Sequence, residues 1–372
     1  MPPRGPPTGA RSRLSTSNEI DLTRDLEKAP PESVEARVLA ETRSDLRALI
    51  SIPDAVNEIV VLERKTGFFS LVFIVLSYLA VAEKRRLRLR VHFGRDCLYA
   101  DQSTPAENNA WDQFFEPLIF VPDNQTQQPA PLPSRASLES ACDTGRTLEN
   151  GEWITRRNPA LAVSPGRVDE KNRAFLGGLL QRFVRPRPHV LKAVDTFVRD
   201  AFAGRAVIGV HARGNEHDSE LAFFRFARLP LEAYFSVIDR ESARLGASHV
   251  FLATDQRNLF EAFKQRYGER LLTFDAQRCD PGQSLHYNTG GARVGFDVLC
   301  ECLILSRCSH LVHGISNVPA AACYFTPSLP HTNIYEHHRR RARFQFEYRR
   351  LRSRCVQRLR EIKLGFDRWR QR

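Results

Sequence analysis

Val207-Ile208-Gly209-Val210-His211-Ala212-Arg213-Gly214-Asn215-Glu216-His217-Asp218-Ser219-Glu220 is the stretch on which the fold reading turns. An apolar, β-branched run stops abruptly at polar and charged residues, as a buried parallel strand does where it reaches the edge of its sheet. In an open α/β domain that carboxyl edge is where ligands bind. His211 and Arg213 lie two residues apart, so their side chains leave the same face of an extended chain. A guanidinium there can grip a phosphate with two parallel N–H bonds, and an imidazole can donate beside it. Taken alone, the stretch reads equally well as a strand followed by a solvated acidic turn, so its neighbours have to decide.

Downstream, strands and helices alternate at short spacing. His249–Ala253 and Leu271–Phe274 read as strands with a helix over Asn258–Tyr267 between them, and Arg293–Arg307 reads as the next helix. Leu311-Val312 is a further strand, and Asn317–Tyr324 starts another helix. Pro230 opens the helix that follows the first strand, and Lys171–Val184 and Pro188–Phe202 supply two helices before it. This βαβα order predicts a doubly wound parallel sheet in the C-terminal half.

Upstream, Ile59–Leu62, a loop holding Gly67, an apolar helix to Ala82 and a strand over Leu87–Phe93 form a second β-loop-α-β unit. Gly67–Ala82 carries no charge but spans only 16 residues. About 20 are needed to cross a bilayer, so a buried core helix is expected. Val34–Ile50 shows a helical period, and 122–170, rich in Pro, Ser, Asn and Gln, reads as a long irregular connection. The predicted organisation is a disordered Pro-, Gly- and Arg-rich tail over 1–33, an N-terminal α/β domain over 34–170, a Rossmann-like domain over 171–334 and a basic helix over 335–372.

Three strand ends of the C-terminal half finish in polar residues: His211 with Arg213, Thr254 with Asp255, and Ser316 with Asn317. Asp255 and Ser316, taken singly, are ordinary helix caps. Gathered on one edge they unite an arginine for phosphate, an acceptor for ribose or guanine, and a helix N-terminus whose free N–H groups favour an anion. Asp297 begins an otherwise apolar helix, where it serves either the helix dipole or base recognition.

Composition limits the chemistry further. The 372 residues carry 55 Lys and Arg against 43 Asp and Glu, a formal charge of +12, which favours anionic partners without choosing among them. Much of the excess lies after Tyr335, and few aromatics interleave with the arginines of the sheet half, which disfavours specific nucleic-acid binding. Eight scattered cysteines form no Cys-x-x-Cys pair, and the first residues lack the apolar run of a secretory signal. A reduced, cytoplasmic protein with no structural zinc is expected. No Walker loop, His-Glu-x-x-His or Asp-x-Asp is present, so an arginine and a helix dipole, with no metal and no cofactor, would have to neutralise a nucleotide diphosphate.

Val210-His211-Ala212-Arg213-Gly214-Asn215-Glu216, Leu252-Ala253-Thr254-Asp255, Gly295-Phe296-Asp297 and Ser316-Asn317 resemble, in order and spacing, the donor half of α1,6-fucosyltransferases. That family joins bacterial nodulation enzymes and core fucosyltransferases, and is related to protein O-fucosyltransferases. Gly67-Phe68-Phe69-Ser70 and Asn109-Ala110-Trp111 look like the acceptor half of its bacterial members. The resemblance implies a GT-B-like fold of two Rossmann-like domains and inverting transfer of fucose from GDP-fucose to a glycan, lipo-oligosaccharide or peptide hydroxyl.

Residue by residue, the resemblance assigns Arg213 to the β-phosphate with His211 in support, Asp297 to guanine, Ser316 and Asn317 to phosphate, and Thr254, Asp255 and Gly67 to the donor pocket. Family members read Thr-Asp-Lys after the arginine and then a glutamate base, where this chain has Asn215-Glu216-His217, so Glu220, with Glu216 orienting it, is the expected base. A protein that keeps the nucleotide pocket but not the transfer is the alternative. In either case the basic C-terminus is placed for weak contact with an anionic membrane surface.

Overall fold

The computed structural model describes residues 52, 55–103, 105, 108–122, 138, 152–155, 166–214, 221, 226 and 228–340, all within one compact unit spanning 45–372. The expected N-terminal tail, the Val34–Ile50 helix, Glu216, Glu220 and the basic segment after 340 lie outside the described residues.

In the N-terminal half, β1 (Glu58–Leu62) pairs in parallel with β2 (Arg88–His92) on one side and β4 (Glu152–Thr155) on the other, and β3 (Ile119–Phe120) adds an antiparallel edge. The uncharged stretch from Gly67 becomes α1 (Phe68–Arg85), which crosses between β1 and β2. Phe68, Phe69, Leu71–Leu76, Tyr78 and Leu79 are all buried, so its apolarity serves the core. No helix of the described residues is long and apolar enough to cross a membrane. The helix ends at Arg86 in the left-handed region, whose amide caps the last turn, after Lys84 and Arg85 at the negative dipole end.

β4 corrects the reading of 122–170 as wholly irregular: Glu152–Thr155 is a fully buried strand beside β1. Four residues with one charge and one tryptophan show no alternation, and only their neighbours on the sheet make them a strand.

In the C-terminal half, α2 (Arg173–Phe183) and α3 (Pro188–Phe197) precede β5 (Val207–His211). α3 loosens into a π-helical turn over Val198–Phe202 before it ends. Then follow α4 (Leu231–Leu245), β6 (His249–Ala253), α5 (Arg257–Tyr267), β7 (Leu271–Leu272), α6 (Leu285–Asn288), α7 (Gly291–Leu305), β8 (His310–His313), α8 (Asn317–Phe325) and β9 (His331–Asn333). The strands form one parallel sheet in the order β7-β6-β5-β8-β9, with β5 central. β5 is buried along its whole length, as an apolar strand covered on both faces must be. The α/β architecture with two Rossmann-like halves is the one the sequence implies.

One continuous core joins the halves, running from α1 through Tyr99, Trp111 and Phe114 to Val294 and Leu299 of α7. The contact is close at Gly295, where a Cβ would lie 2.5 Å from the Phe114 ring. A second core lies on the other face of the C-terminal sheet, under α4 and α5. It includes Ile334, which is fully buried, and Tyr335, which is 8% exposed, so the chain is docked on the body where the basic segment is expected to begin. Residues 334–340 continue as helix, and Arg167 pairs with Glu336 there.

Candidate functional site

β5, β6 and β8 end side by side, His211 opposite Ala253 on one flank and His313 on the other. The chain after each strand therefore emerges at the same edge. Arg213 sits between the other two strand ends: its Nη1 donates to Ser316 Oγ at 3.4 Å, and its Nε lies 3.9 Å from Asp255 Oδ2. Both side chains are about four-fifths buried, which strengthens the attraction beyond that of a solvated pair. Gly214 lies against Gln256, where a Cβ would fall 1.9 Å from the Gln256 side chain.

Ser316 caps α8 by accepting the amide of Val318. The Ser316 amide is taken up by Gly166 O at 3.0 Å. Asn317 is turned away from Arg213: its Oδ1 accepts from the Gly166 amide at 2.5 Å and its Nδ2 donates to Ser70 Oγ in α1 at 2.9 Å. Asn317 thus ties together α8, the segment leading into α2 and the N-terminal half.

Thr254 is buried, and its hydroxyl accepts from the Gln256 amide. The Asp255 carbonyl anchors Cys279 through the amide at 2.9 Å. His211 is 7% exposed at the end of β5. Asp297 is almost fully buried in α7, where it accepts from Arg293 Nε at 2.7 Å and the Gln277 amide at 3.0 Å. Burial nevertheless holds its carboxyl above the usual range, opposed by those two partners.

Glu301 of α7 and the Tyr99–His286 pair escaped sequence inspection. Glu301, one turn after Asp297 and on the same helix face, is buried. Its carboxyl is pushed up to about 8 by desolvation, with Arg278 opposing and Asp297 and Asp255 adding. Its position four residues beyond Asp297 in an apolar helix was the available signal. From the other side, the Tyr99 hydroxyl meets His286 Nδ1 at 2.7 Å, and burial raises the Tyr99 phenol far above its usual range although the Arg213 charge acts against it. His286 belongs to the short helix α6, which reaches across to the N-terminal half, where Tyr287 also donates to Lys65 O. A Cβ at Gly67 would stand 3.8 Å from His286 Nε2 and 3.7 Å from Ser70 Oγ, an ordinary contact, so packing does not itself demand glycine there.

The structure thus brings Arg213, Asp255 and Ser316 together, with Asn317 linking the same turn to Ser70 next to Gly67. It places Asp297 farther along, in the Arg293 and Gln277 contacts. The six described cysteines are buried and unbridged, and no group of His, Cys, Asp or Glu able to hold a metal ion occurs among the described residues.

Residues 171–342 match the family model of nodulation protein Z (NodZ). The matched span contains all three strand ends, and the resemblance to fucosyltransferases read from the sequence holds. Nodulation protein Z of Bradyrhizobium diazoefficiens is 28% identical over 139 residues, which are 35% of this chain and 37% of that protein. The similarity therefore spans little more than a third of the curated relative. Among solved structures, NodZ α-1,6-fucosyltransferase co-crystallized with GDP superposes with a TM-score of 0.46 at 18% identity, over 74% of this chain and 93% of that one. POFUT1 in complex with GDP gives a TM-score of 0.42 at 12% identity, over 74% and 98%.

Proposed function

We propose that this protein is an inverting glycosyltransferase that moves fucose from GDP-fucose to a hydroxyl of a glycan, lipo-oligosaccharide or peptide. The observation that carries the reading is Arg213, held between Asp255 and Ser316 at the mouth of a parallel sheet and beside the start of α8. Its family match adds the NodZ context, and the NodZ crystal form that carries GDP names the nucleotide of that relative.

In the reaction, the acceptor oxygen attacks C1 of fucose from the face opposite the diphosphate, and the bond from C1 to the β-phosphate oxygen breaks. The electron pair leaves with GDP. Arg213, with the helix start at Ser316, stabilises the charge that grows on the phosphate. His211 supports Arg213, Ser316 and Asn317 hold the phosphate turn, Thr254 and Asp255 border the nucleotide, and Asp297 faces guanine. Gly67 lets the start of α1 approach the donor. The acceptor proton passes to a carboxylate of the loop after Arg213, with Glu220 as base and Glu216 orienting it, since Glu216, Asp218 and Glu220 follow Arg213 closely in sequence. No metal or other cofactor takes part, the protein works in the cytoplasm, and its basic C-terminus makes weak contact with anionic membrane.

The test is GDP release from GDP-fucose with and without a chitooligosaccharide, in wild type and in Glu216→Gln, Asp218→Asn and Glu220→Gln. Loss of about a hundredfold in rate in Glu220→Gln with GDP affinity kept is expected of the base. GDP binding without acceptor-dependent release by wild type would instead indicate a nucleotide-sugar binder.

A further inference from the structure

Behind the 314–317 turn, three side chains form a chain from the surface to the buried end of β8. His313 is 1% exposed, with Nδ1 2.7 Å from Gly314 O and Nε2 2.9 Å from His331 Nδ1. His331 Nε2 lies 2.5 Å from Glu170 Oε1. Counting donors fixes the protons. A carbonyl only accepts, so His313 Nδ1 carries a hydrogen. Burial pushes His313 down to about 3, so its ring is neutral and Nε2 is a lone pair. His331 Nδ1 must then donate to it. Burial alone would raise the Glu170 carboxyl, but the bond and charge of His331, with Arg173, outweigh this and hold it below its usual range. Glu170 is therefore a carboxylate, and His331 Nε2 must donate as well. A ring that donates from both nitrogens is an imidazolium.

Each end of the chain touches the turn. His313 grips Gly314 O directly. Glu170 lies in the segment whose Gly166 accepts from the Ser316 amide and donates to Asn317 Oδ1, and that segment is also held by the Asp169 amide donating to Tyr324 Oη at 2.9 Å. We propose that His331, doubly protonated, is a positioning residue that ties Glu170 to His313 and so sets the turn holding Ser316 and Asn317. Loss of either contact of the His331 ring breaks one of the two ties and weakens nucleotide binding. This rests on the donor reading of that turn.

Other charges around the chain bear on its titration. Arg173 of α2 pairs with Glu170 Oε2 at 3.4 Å. On the β8 side His310, bonded to Thr332 Oγ1, is held low by burial with Arg244, His331 and Arg240 acting the same way and Glu241 against. Protonating Glu170 at low pH removes the acceptor of His331 Nε2 and opens the tie at that end.

The experiment measures GDP affinity by calorimetry from pH 5.5 to 9.5 in wild type, Glu170→Gln, His331→Gln and Arg213→Lys, with nitrogen-edited NMR of the histidine rings in the nucleotide-free protein. Glu170 is 59% exposed, so Glu170→Gln should fold even if the His331 variant does not. Expected are two N–H signals from the His331 ring at pH 6, and a GDP affinity at least about fivefold below wild type at that pH in Glu170→Gln and His331→Gln. Arg213→Lys should bind less tightly as well but keep both N–H signals of His331. Titration of GDP itself is common to all four proteins and cancels in the comparison. A single N–H on His331 at pH 6, or a Glu170→Gln profile that overlays wild type, overturns the proposal. Absence of GDP binding by wild type at every pH overturns the donor reading and the coupling with it, whereas Arg213→Lys with wild-type affinity overturns the role of Arg213 and leaves the coupling standing.

Discussion

The two sheets keep their charges in different places. In the C-terminal sheet β5 and β6 are apolar through their centres, and polar side chains gather where the strands end. In the N-terminal sheet the charges sit at the amino ends of β1, β2 and β4, with Arg90 one step farther in, and face one another: Arg90 of β2 reaches Glu58 Oε1 of β1 at 2.5 Å and Glu152 Oε1 of β4 at 2.8 Å, and Arg88 lies 3.4 Å from Glu58 Oε2. All of these except Arg88 are buried. Polarity at the carboxyl ends of parallel strands makes a place for a ligand, whereas charges paired across neighbouring strands at their amino ends are consumed in joining them.

The largest effect that would sharpen this contrast is expected at Arg90. Arg90→Met should leave Glu58 and Glu152 buried without their shared cation and cost about 3–5 kcal/mol in urea unfolding. A loss under about 1 kcal/mol would mean the cluster is not what holds β1, β2 and β4 in register. At the other sheet, Arg213→Lys should change stability little yet weaken GDP binding by about 2–3 kcal/mol, because an ammonium keeps the charge but loses the bidentate fork. Calorimetry reads both quantities, and an unchanged GDP affinity would remove Arg213 from the site.

Next comes Glu301. Its carboxyl titrates at about 8 in the folded protein against an ordinary value of 4.5, so the folded state holds the proton more tightly. Its stabilising contribution is complete below about pH 4.5 and is lost as pH rises through about 8. Glu301→Gln, which stays neutral, should therefore flatten the fall in stability over that window by about 3 kcal/mol, measured by urea unfolding at pH 5 and 8. An unchanged slope would show that Glu301 is ionised throughout. The smallest expected effect is none: EDTA should leave transfer unchanged, since in the proposed reaction Arg213 and the α8 start meet the charge on the diphosphate. Strict dependence on Mn²⁺ or Mg²⁺ would break that account.

Much of the C-terminal half was legible because its signals are local. A β-branched run covered on both faces, Pro230 before a helix and Ser316 at a cap each report their own surroundings, and the bounds of β5, β6 and α8 fall within a residue or so of the sequence reading. β4 and β9 were not legible. Glu152-Trp153-Ile154-Thr155 and His331-Thr332-Asn333 lack alternation, and become strands because β1 and β8 present free edges to them.

The sequence by itself determined the βαβα order, the apolar core helix after Gly67 and the three polar strand ends, because each depends on residues near one another along the chain. Only the tertiary structure decided which groups meet: Arg213 with Ser316 across 103 positions, Asn317 with Ser70 across 247, Tyr99 with His286 across 187, and Glu170 with His331 across 161. Such pairs leave no period or spacing in the sequence, since strand order and the packing of α7 on the N-terminal half set them, and both are settled by burial of surface from distant segments at once.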